Sequence, residues 1–310
     1  MPISSRFLRG SGALLVAAVL FTAPAHAQPG VIPHRVWQAK PPLGVSADAA
    51  RRNKKAGDSL SFHDITVTVL ATMVDSSGAK PVDVARVRLA VPGTNAVREV
   101  REGAAFNWQG YHIAVVAVYG PGELGAGLVA LEIATVASLP PAIATSDSAG
   151  GAAMRLRIPH QITHVTLHHT GDTKPLTRAD DPAQRLRNLQ EWGARDRNWW
   201  DVPYHFLLDL DGRAFEGRDY HFMGETNTTY DPSGHFLISM IGNYDVQEPS
   251  PQQLDAIADL MAWALKQYNL PIDRIGGHFM YADTGCPGKY LRPYIGNGTL
   301  KRMVAERLAR

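Results

Sequence analysis

The sequence predicts a protein of the α/β class in two domains, a small all-β domain of sandwich type followed by a mixed β-sheet flanked by helices. Three observations support this prediction. Short β-branched segments of alternating polarity, separated by Gly- and Pro-containing turns, fill residues 59–138. Residues 139–153 have the small and polar composition of a linker. From residue 154 to residue 310, strand patterns alternate with helical patterns.

The first 27 residues have the features of an export signal. Arg6 and Arg9 form a positively charged start, residues 12–21 are a short apolar run, and residues 25–27 are a small-x-small cleavage site. The apolar run is too short to span a bilayer, and no later stretch is long and apolar enough to do so. We therefore expect an exported protein, located in the periplasm or secreted and associated with the cell wall, with no membrane span after signal cleavage.

Charge and cysteine content narrow the range of functions. The formal net charge of +2 falls to zero in the exported form, because Arg6 and Arg9 are the only charged residues that the signal contains. A neutral protein lacks the clustered basic surface that a nucleic-acid partner requires. The single cysteine, Cys286, cannot form a disulfide within this chain, so its thiol needs another explanation.

The amino-terminal half contains no residues of recognisable chemistry. Residues 28–58 are rich in proline, alanine and charged residues and predict an extended leader. The strands predicted after it cover residues 65–70, 85–91, 112–118 and 128–133. His63 and His112 have no partner at ligand spacing, which indicates ordinary structural histidines.

The carboxyl-terminal half has recognisable helix and turn signals. Asp181 and Pro182 predict the start of a helix that runs to residue 195, and Ser250, Pro251 and Gln253 predict a capped start of a second helix. The other predicted elements are a strand at 162–168, a hairpin formed by 202–210 and 213–216, a strand at 236–241 and a last helix at 299–308.

Two histidines and the lone cysteine form a possible ligand set. His168 and His169 end an apolar strand, His278 follows two glycines, and Cys286 comes eight residues later. Adjacent side chains of a strand face opposite sides, so only one of His168 and His169 easily reaches a given metal ion. Two imidazoles and a thiolate leave a fourth position open, as in a catalytic zinc site. For Cys286 alone, an inert buried thiol, a nucleophile and a metal ligand remain open.

Five motifs follow one another in the carboxyl-terminal half. They lie at 165–170, 200–208, 211–218 and 242–244, with the last one formed by 277–278 and 284–288. In this order and spacing the chain resembles, over residues 155–297, the zinc-dependent N-acetylmuramoyl-L-alanine amidases of type 2. That family includes the peptidoglycan recognition proteins and the phage lysozyme-like amidases.

The resemblance implies a set of site residues and an activity. It implies Zn²⁺ held by His168, His278 and Cys286, and a catalytic Tyr204 whose hydroxyl points at the zinc-bound water or the developing oxyanion. It also implies that Thr284 polarises the scissile carbonyl or stabilises the transition state. The implied reaction is hydrolysis of the amide between N-acetylmuramic acid and L-alanine, in peptidoglycan or its soluble fragments.

Several residues and readings stay open at this point. The carboxylate base of some relatives has no clear counterpart, and Glu225 is a candidate substitute. Packing is the simpler reading for the aromatic residues that were considered as lining of a groove for sugar and peptide, namely Trp192, Trp199, Trp200 and Tyr230. The alternative functions are a non-catalytic module that recognises peptidoglycan and a thiol hydrolase.

Overall fold

The computed structural model describes residues 30–119, 127–141 and 151–310. The predicted export signal at residues 1–27 lies outside the described residues, and so does most of the predicted linker at 139–153. None of the helices within the described ranges is long and apolar enough to cross a membrane.

The amino-terminal part of the chain contains a sandwich of two sheets. In chain order, the elements of the amino-terminal part are β1 (Val31–Ile32), α1 (His34–Trp37), β2 (Val45–Ser46), β3 (Ala49–Lys55), β4 (Ser59–Phe62), β5 (Ile65–Asp75), β6 (Val82–Val91), β7 (Thr94–Arg101), β8 (Ala104–Trp108), β9 (Tyr111–Tyr119) and β10 (Leu128–Thr135). One sheet has the order β4-β5-β6-β7, and the other has the order β8-β9-β10-β3 with β11 (Gly151–Ala152) added beside β8. Their apolar faces meet around Val67, Val87, Ile113 and Leu131, which are fully buried. The predicted sandwich-like all-β domain is confirmed.

The carboxyl-terminal part is a mixed sheet with helices on both faces. After β12 (Leu156–Arg157) its elements are β13 (His164–His169), α2 (Pro182–Asp196), β14 (Phe206–Leu208), β15 (Ala214–Glu216), β16 (His235–Met240), α3 (Pro251–Tyr268), β17 (Ile275–Gly277), α4 (Arg292–Gly296) and α5 (Thr299–Leu308). The strand order is β1-β15-β14-β16-β13-β17. β13 runs parallel to both of its neighbours, whereas β14 and β15 form an antiparallel hairpin. The predicted mixed sheet flanked by helices is confirmed.

The helices begin where their caps predict. The side chain of Asp181 caps α2, and Ser250 and Gln253 form the reciprocal hydrogen bonds of a capping box at the start of α3. α3 and α5 cover the face of the sheet to which Leu167 belongs, and α2 covers the opposite face through Leu186. The central strands are therefore buried on both sides, and polar side chains such as Thr166, His168 and Ser239 are buried with them.

The predicted extended leader at residues 28–58 differs from the structure. β3 pairs with β10 along its whole length and belongs to the sandwich, although its charged sequence is poor in β-branched residues. Upstream, β1 adds a parallel strand to β15. Trp37 is 2% exposed, and its indole N–H donates to the carbonyl of Glu216 at 2.6 Å. The described part of this segment is therefore docked on both halves of the protein.

Two neutral histidines, the half-buried His160 and the buried His205, hold the long connection between β15 and β16. Each accepts a main-chain N–H at Nδ1 and donates from Nε2 to a main-chain carbonyl. The partners are Gly234 N (3.0 Å) and Tyr220 O (3.1 Å) for His160, and Leu237 N (2.9 Å) and Phe222 O (3.0 Å) for His205. Burial lowers the pKa of His160 to about 4 and lowers the pKa of His205 well below its ordinary value.

These histidines predict a loss of stability in mild acid. Between pH 6.5 and about 4 the unfolded chain binds a proton at His160 and the folded chain does not, so stability falls as the pH falls through this window. The full effect of His160 is about 3 kcal/mol. Denaturant unfolding across this range should give a flatter pH dependence for His160→Gln than for the wild type. His221→Gln, at a side chain 72% exposed, should keep the wild-type slope. Parallel curves for His160→Gln and the wild type would contradict this assignment.

Candidate metal centre

Three side chains from distant parts of the chain meet at one edge of the mixed sheet. His168, His278 and Cys286 each offer one ligand atom, and these atoms all lie within 4.8 Å of one another. The two imidazole ring centres are 4.6 Å apart, and Cys286 Sγ lies 3.6 Å from His168 Nδ1. His168 is fully buried and His278 is 4% exposed. The structure thus brings together the three residues that were predicted to hold a metal ion.

Strand pairing explains this convergence. β13 and β17 are parallel neighbours in which Leu167 lies opposite Gly277, so the residues that follow, His168 and His278, lie side by side at the carboxyl ends of the two strands. The chain then returns through a short loop. The N–H of Phe279 donates to the carbonyl of Cys286 at 3.2 Å, and the Cys286 thiol accepts from the N–H of His169 at 3.4 Å. These contacts aim the thiol at His168.

The alternation of side chains along β13 separates the two histidines that the sequence left open. His168 faces His278 and Cys286, whereas the ring of His169 lies on the other face of the strand. There His169 Nδ1 accepts the N–H of Tyr244 at 3.1 Å. His169 therefore has a packing and hydrogen-bonding role beside the centre.

The hydrogen bonds of His278 leave its inner nitrogen free to bind a metal. Its Nε2 lies 2.7 Å from Thr228 Oγ1, and the Thr228 hydroxyl in turn donates to Thr226 Oγ1 at 3.3 Å. Because the Thr228 hydrogen is used in that bond, Nε2 carries a hydrogen and donates it to Thr228. The buried Nδ1 has no hydrogen-bond partner within the described residues, so its lone pair faces the centre.

The distances suit zinc. Sulfur at about 2.3 Å and nitrogen at about 2.0 Å from a tetrahedral zinc ion lie about 3.6 Å apart. The separation of Cys286 Sγ from His168 Nδ1 is 3.6 Å. Two imidazole nitrogens and one sulfur are also the donor types that zinc prefers in proteins. The residues present therefore fit this metal.

Burial sets the protonation of the three groups. It lowers the pKa of His168 well below its ordinary value and lowers that of His278 to about 4, so both imidazoles are neutral at pH 7. Burial raises the pKa of the Cys286 thiol to about 12. A thiol in this state is a poor nucleophile, since the thiolate is the reactive form. A cation bound by the two neutral imidazoles would favour the thiolate and make it the third ligand.

Tyr204 and Thr284 lie beside the three ligand-type residues. The ring of Tyr204 is 5.2 Å from that of His168, and its hydroxyl donates to the carbonyl of His169 at 3.2 Å. Burial raises the pKa of Tyr204, so the phenol keeps its proton. Thr284 Oγ1 accepts the N–H of Cys286 at 3.3 Å and shapes the loop that carries the thiol.

Two further residues contact the centre, and no sequence pattern assigned them this role. Thr228 binds His278, and the ring of Tyr230 lies 4.9 Å from that of His278 and 6.2 Å from that of His168. Tyr230 is 5% exposed, and its ring packs against the imidazoles of His168 and His278. Both residues lie about fifty positions from His278 in the chain. Only the folded structure makes them its neighbours.

Glu225 does not have the features of a catalytic base. Its carboxylate binds Arg51 Nη2 at 2.6 Å and lies 3.4 Å from Arg218 Nη1. A carboxylate held by two guanidinium groups is engaged in charge-assisted hydrogen bonds and ion pairs. Its role in this structure is that of an ion-pair partner between the two halves of the chain.

The tryptophans pack in the interior. Trp199 and Trp200 are 8% and 3% exposed, so both are buried. Trp200 lies between the guanidinium groups of Arg157 and Arg218, at 5.0 and 4.7 Å from them. Trp192 is half-buried and makes an edge-on contact with Trp199. These contacts support the packing interpretation.

Comparison with known proteins identifies relatives of the carboxyl-terminal part. The family model described as N-acetylmuramoyl-L-alanine amidase matches residues 159–289. Peptidoglycan recognition protein 1 of Bos indicus is 34% identical over 143 residues, which are 46% of this chain and 73% of the relative. The N-acetylmuramoyl-L-alanine amidase of Sus scrofa is 29% identical over 144 residues, 46% of this chain and 24% of that protein.

A Drosophila melanogaster relative has also been solved as a structure. Peptidoglycan-recognition protein LB is 28% identical over 140 residues, 43% of this chain and 60% of that protein. The solved structure titled Drosophila PGRP-LB wild-type has a TM-score of 0.41 and 25% identity, and the match covers 47% of this chain and 88% of that one. The chain thus spans less than two thirds of the length of the fly protein LB and of the pig amidase.

Proposed function

The chain belongs to the N-acetylmuramoyl-L-alanine amidase family, and from this premise we propose that it hydrolyses the amide bond between N-acetylmuramic acid and L-alanine with the help of a bound zinc ion. The metal would be held by His168, His278 and Cys286. Tyr204 and Thr284 would act on the substrate beside it.

One observation carries this proposal. His168, His278 and Cys286 each bring one ligand atom to within 4.8 Å of the other two, and the 3.6 Å between Cys286 Sγ and His168 Nδ1 suits a tetrahedral zinc ion. Structural zinc sites use four protein ligands, whereas catalytic sites use three and keep one position for water or substrate. Within the described residues no fourth histidine, cysteine or carboxylate joins the group. This donor set favours catalysis over a structural role.

The side chains around the centre suit amide hydrolysis. Zinc, when bound, would act as a Lewis acid and lower the pKa of a coordinated water to about 7. Tyr204 keeps its proton, and its hydroxyl now donates to the carbonyl of His169, from which it can turn to a substrate carbonyl. A donor at that place stabilises the negative charge that develops on the oxygen during attack. Thr284 keeps Cys286 in place through the loop hydrogen bond.

We also propose peptidoglycan, or its soluble fragments, as the partner. Several relatives are named for the recognition of peptidoglycan. Residues 1–27 have the features of an export signal, so the protein would meet this polymer in the periplasm or at the cell wall. In this proposal residues 154–310 form the amidase domain, and the sandwich before it is the accessory domain.

The first test is the release of amino groups from purified peptidoglycan. We expect zinc-loaded full-length protein to expose the amino group of L-alanine, a chelator to stop this release, and added zinc to restore it. The amino-terminal residues released can be labelled and identified by chromatography. If the zinc-loaded protein binds peptidoglycan without releasing amino groups, the protein is a recognition module and the amidase proposal is wrong.

The second test is Cys286→Ala. A change outside the ligand set lowers zinc affinity about 10- to 100-fold. Loss of one of the three ligands should lower zinc affinity by more than this, and activity should fall together with zinc content. Zinc content is measured by elemental analysis after dialysis. Asp283→Ala, at an exposed residue of the same loop, is the matched control and should retain both properties. Loss of activity at full zinc content would instead indicate a thiol nucleophile.

The third test is Tyr204→Phe. Removal of one donor to a developing oxyanion lowers kcat by about 10²- to 10³-fold. We expect this loss at unchanged zinc content, because Tyr204 is not a ligand. Tyr220→Phe is the matched control, since that ring packs against Phe206 and Trp263 in the interior. Equal kcat values for Tyr204→Phe and the wild type would show that this hydroxyl has no part in the reaction.

A further inference from the structure

Residues 225–231, here called the bridging segment, lie between the centre and the β-sandwich. Its inner side touches His168 and His278, and its outer side is held by the sandwich. We propose that the sandwich is a positioning device for the metal centre, and that Tyr119 and Asn53 orient His278 through the bridging segment. This inference rests on the proposed function, because it takes His278 as a zinc ligand.

The inner side of the segment controls the ring of His278. Thr228 Oγ1 accepts the hydrogen of Nε2 at 2.7 Å, which fixes both the orientation of the imidazole and its tautomer. Tyr230 packs its ring against the same imidazole at 4.9 Å. Hydrogen-bond partners of this kind raise the basicity of a histidine ligand and hold it in the productive orientation. Displacement of Thr228 would therefore weaken the metal site without touching a ligand.

The outer side of the segment is held by hydrogen bonds from β9 and β3, two strands of one sheet of the sandwich. The hydroxyl of Tyr119, at the end of β9, donates to the carbonyl of Thr228 at 3.1 Å. The side-chain amide of Asn53, in β3, donates to the carbonyl of Thr229 at 2.8 Å, and its backbone N–H donates to the carboxylate of Asp231 at 3.2 Å. Tyr119 thus binds the carbonyl of the residue whose hydroxyl holds His278.

A cluster of buried charges anchors the start of the segment. Arg51 of β3 bonds Glu225 at 2.6 Å and lies 3.7 Å from Glu132 of β10. Arg218, which is fully buried, lies 3.4 Å from the same Glu225 oxygen. Loss of one partner from a buried ion pair is costly because the other charge stays desolvated. This cluster therefore fixes how the sandwich meets the carboxyl-terminal part, and with it the place of Tyr119 and Asn53.

Close packing does not hold the outer side of the segment. A cavity of about 520 Å³ lies there between the sandwich and the carboxyl-terminal part, lined among others by Val116, Val118 and Arg197 as well as by residues of the segment. Beside an open space, the position of the main chain depends on discrete hydrogen bonds. This makes the contacts of Tyr119 and Asn53 more important than their small number indicates.

The experiment compares the full-length wild-type protein with four full-length variants. Thr228→Ala removes the acceptor of His278, and Thr228→Ser restores it. The double variant Tyr119→Phe with Asn53→Ala removes two bonds from the sandwich. Tyr111→Phe is the matched control, because Tyr111 begins the same strand and bonds Asp64 inside the sandwich. Zinc dissociation constants are measured by chelator competition, the His278 tautomer is read in the zinc-free protein by nitrogen NMR, and folding is checked by thermal unfolding.

We expect Thr228→Ala to weaken zinc binding about 10- to 100-fold, with rescue by Thr228→Ser. The double variant should weaken it about 5- to 30-fold and lose the single Nε2–H tautomer, with Tyr111→Phe unchanged. Wild-type zinc affinity and tautomer in the double variant would overturn the inference. Weaker binding in the Tyr111→Phe control as well would overturn it too, since the effect would then be general. A wild-type protein that binds zinc without cleaving peptidoglycan contradicts only the amidase proposal, because affinity and tautomer still test the positioning role.

Discussion

The parallel pairing of β13 with β17 decides where chemistry can occur in this protein. Because Leu167 lies opposite Gly277, His168 and His278 lie side by side at the carboxyl ends of these strands. A slip of one residue would turn His168 to the other face, since side chains alternate along a strand. The loop back to Cys286 needs Gly277, where an added Cβ would lie 2.7 Å from the ring of Phe279. The site thus depends on register first and on individual ligands second.

The features that local patterns encode could be predicted from the sequence. The capped starts of α2 and α3, the four alternating strands of the sandwich and the strand that ends at His168 all depend on neighbours within a few residues. The three ligand-type residues could also be predicted from the sequence, because their motifs follow one another in the order typical of the family. The choice between His168 and His169 needed the structure, since both side chains are buried and burial alone does not identify the one that faces His278 and Cys286.

The features that depend on distant contacts could not be predicted. β3 looks like a charged leader, but it pairs with β10 along its whole length, and its Arg51 binds two carboxylates that lie far away in the sequence. Thr228 has no local pattern, and its importance comes only from its distance to His278. Glu225 was considered for catalysis because carboxylates are frequent bases. The two guanidinium groups that bind it are again distant in sequence.

Orientation between the two halves of the chain comes from polar contacts more than from apolar ones. The shared apolar cluster is small and consists of Ala49, Ala134, Leu139, Leu156, Ile158 and Met223. Short aliphatic side chains tolerate small shifts, because dispersion contacts are weakly directional. The bonds of Arg51 to Glu225 and of Asn53 to Thr229 do not, since a hydrogen bond loses strength steeply when its geometry changes. In the proposed zinc site the three ligand atoms would have to keep their separations, and directional contacts to the sandwich would favour this more than the shared apolar cluster does.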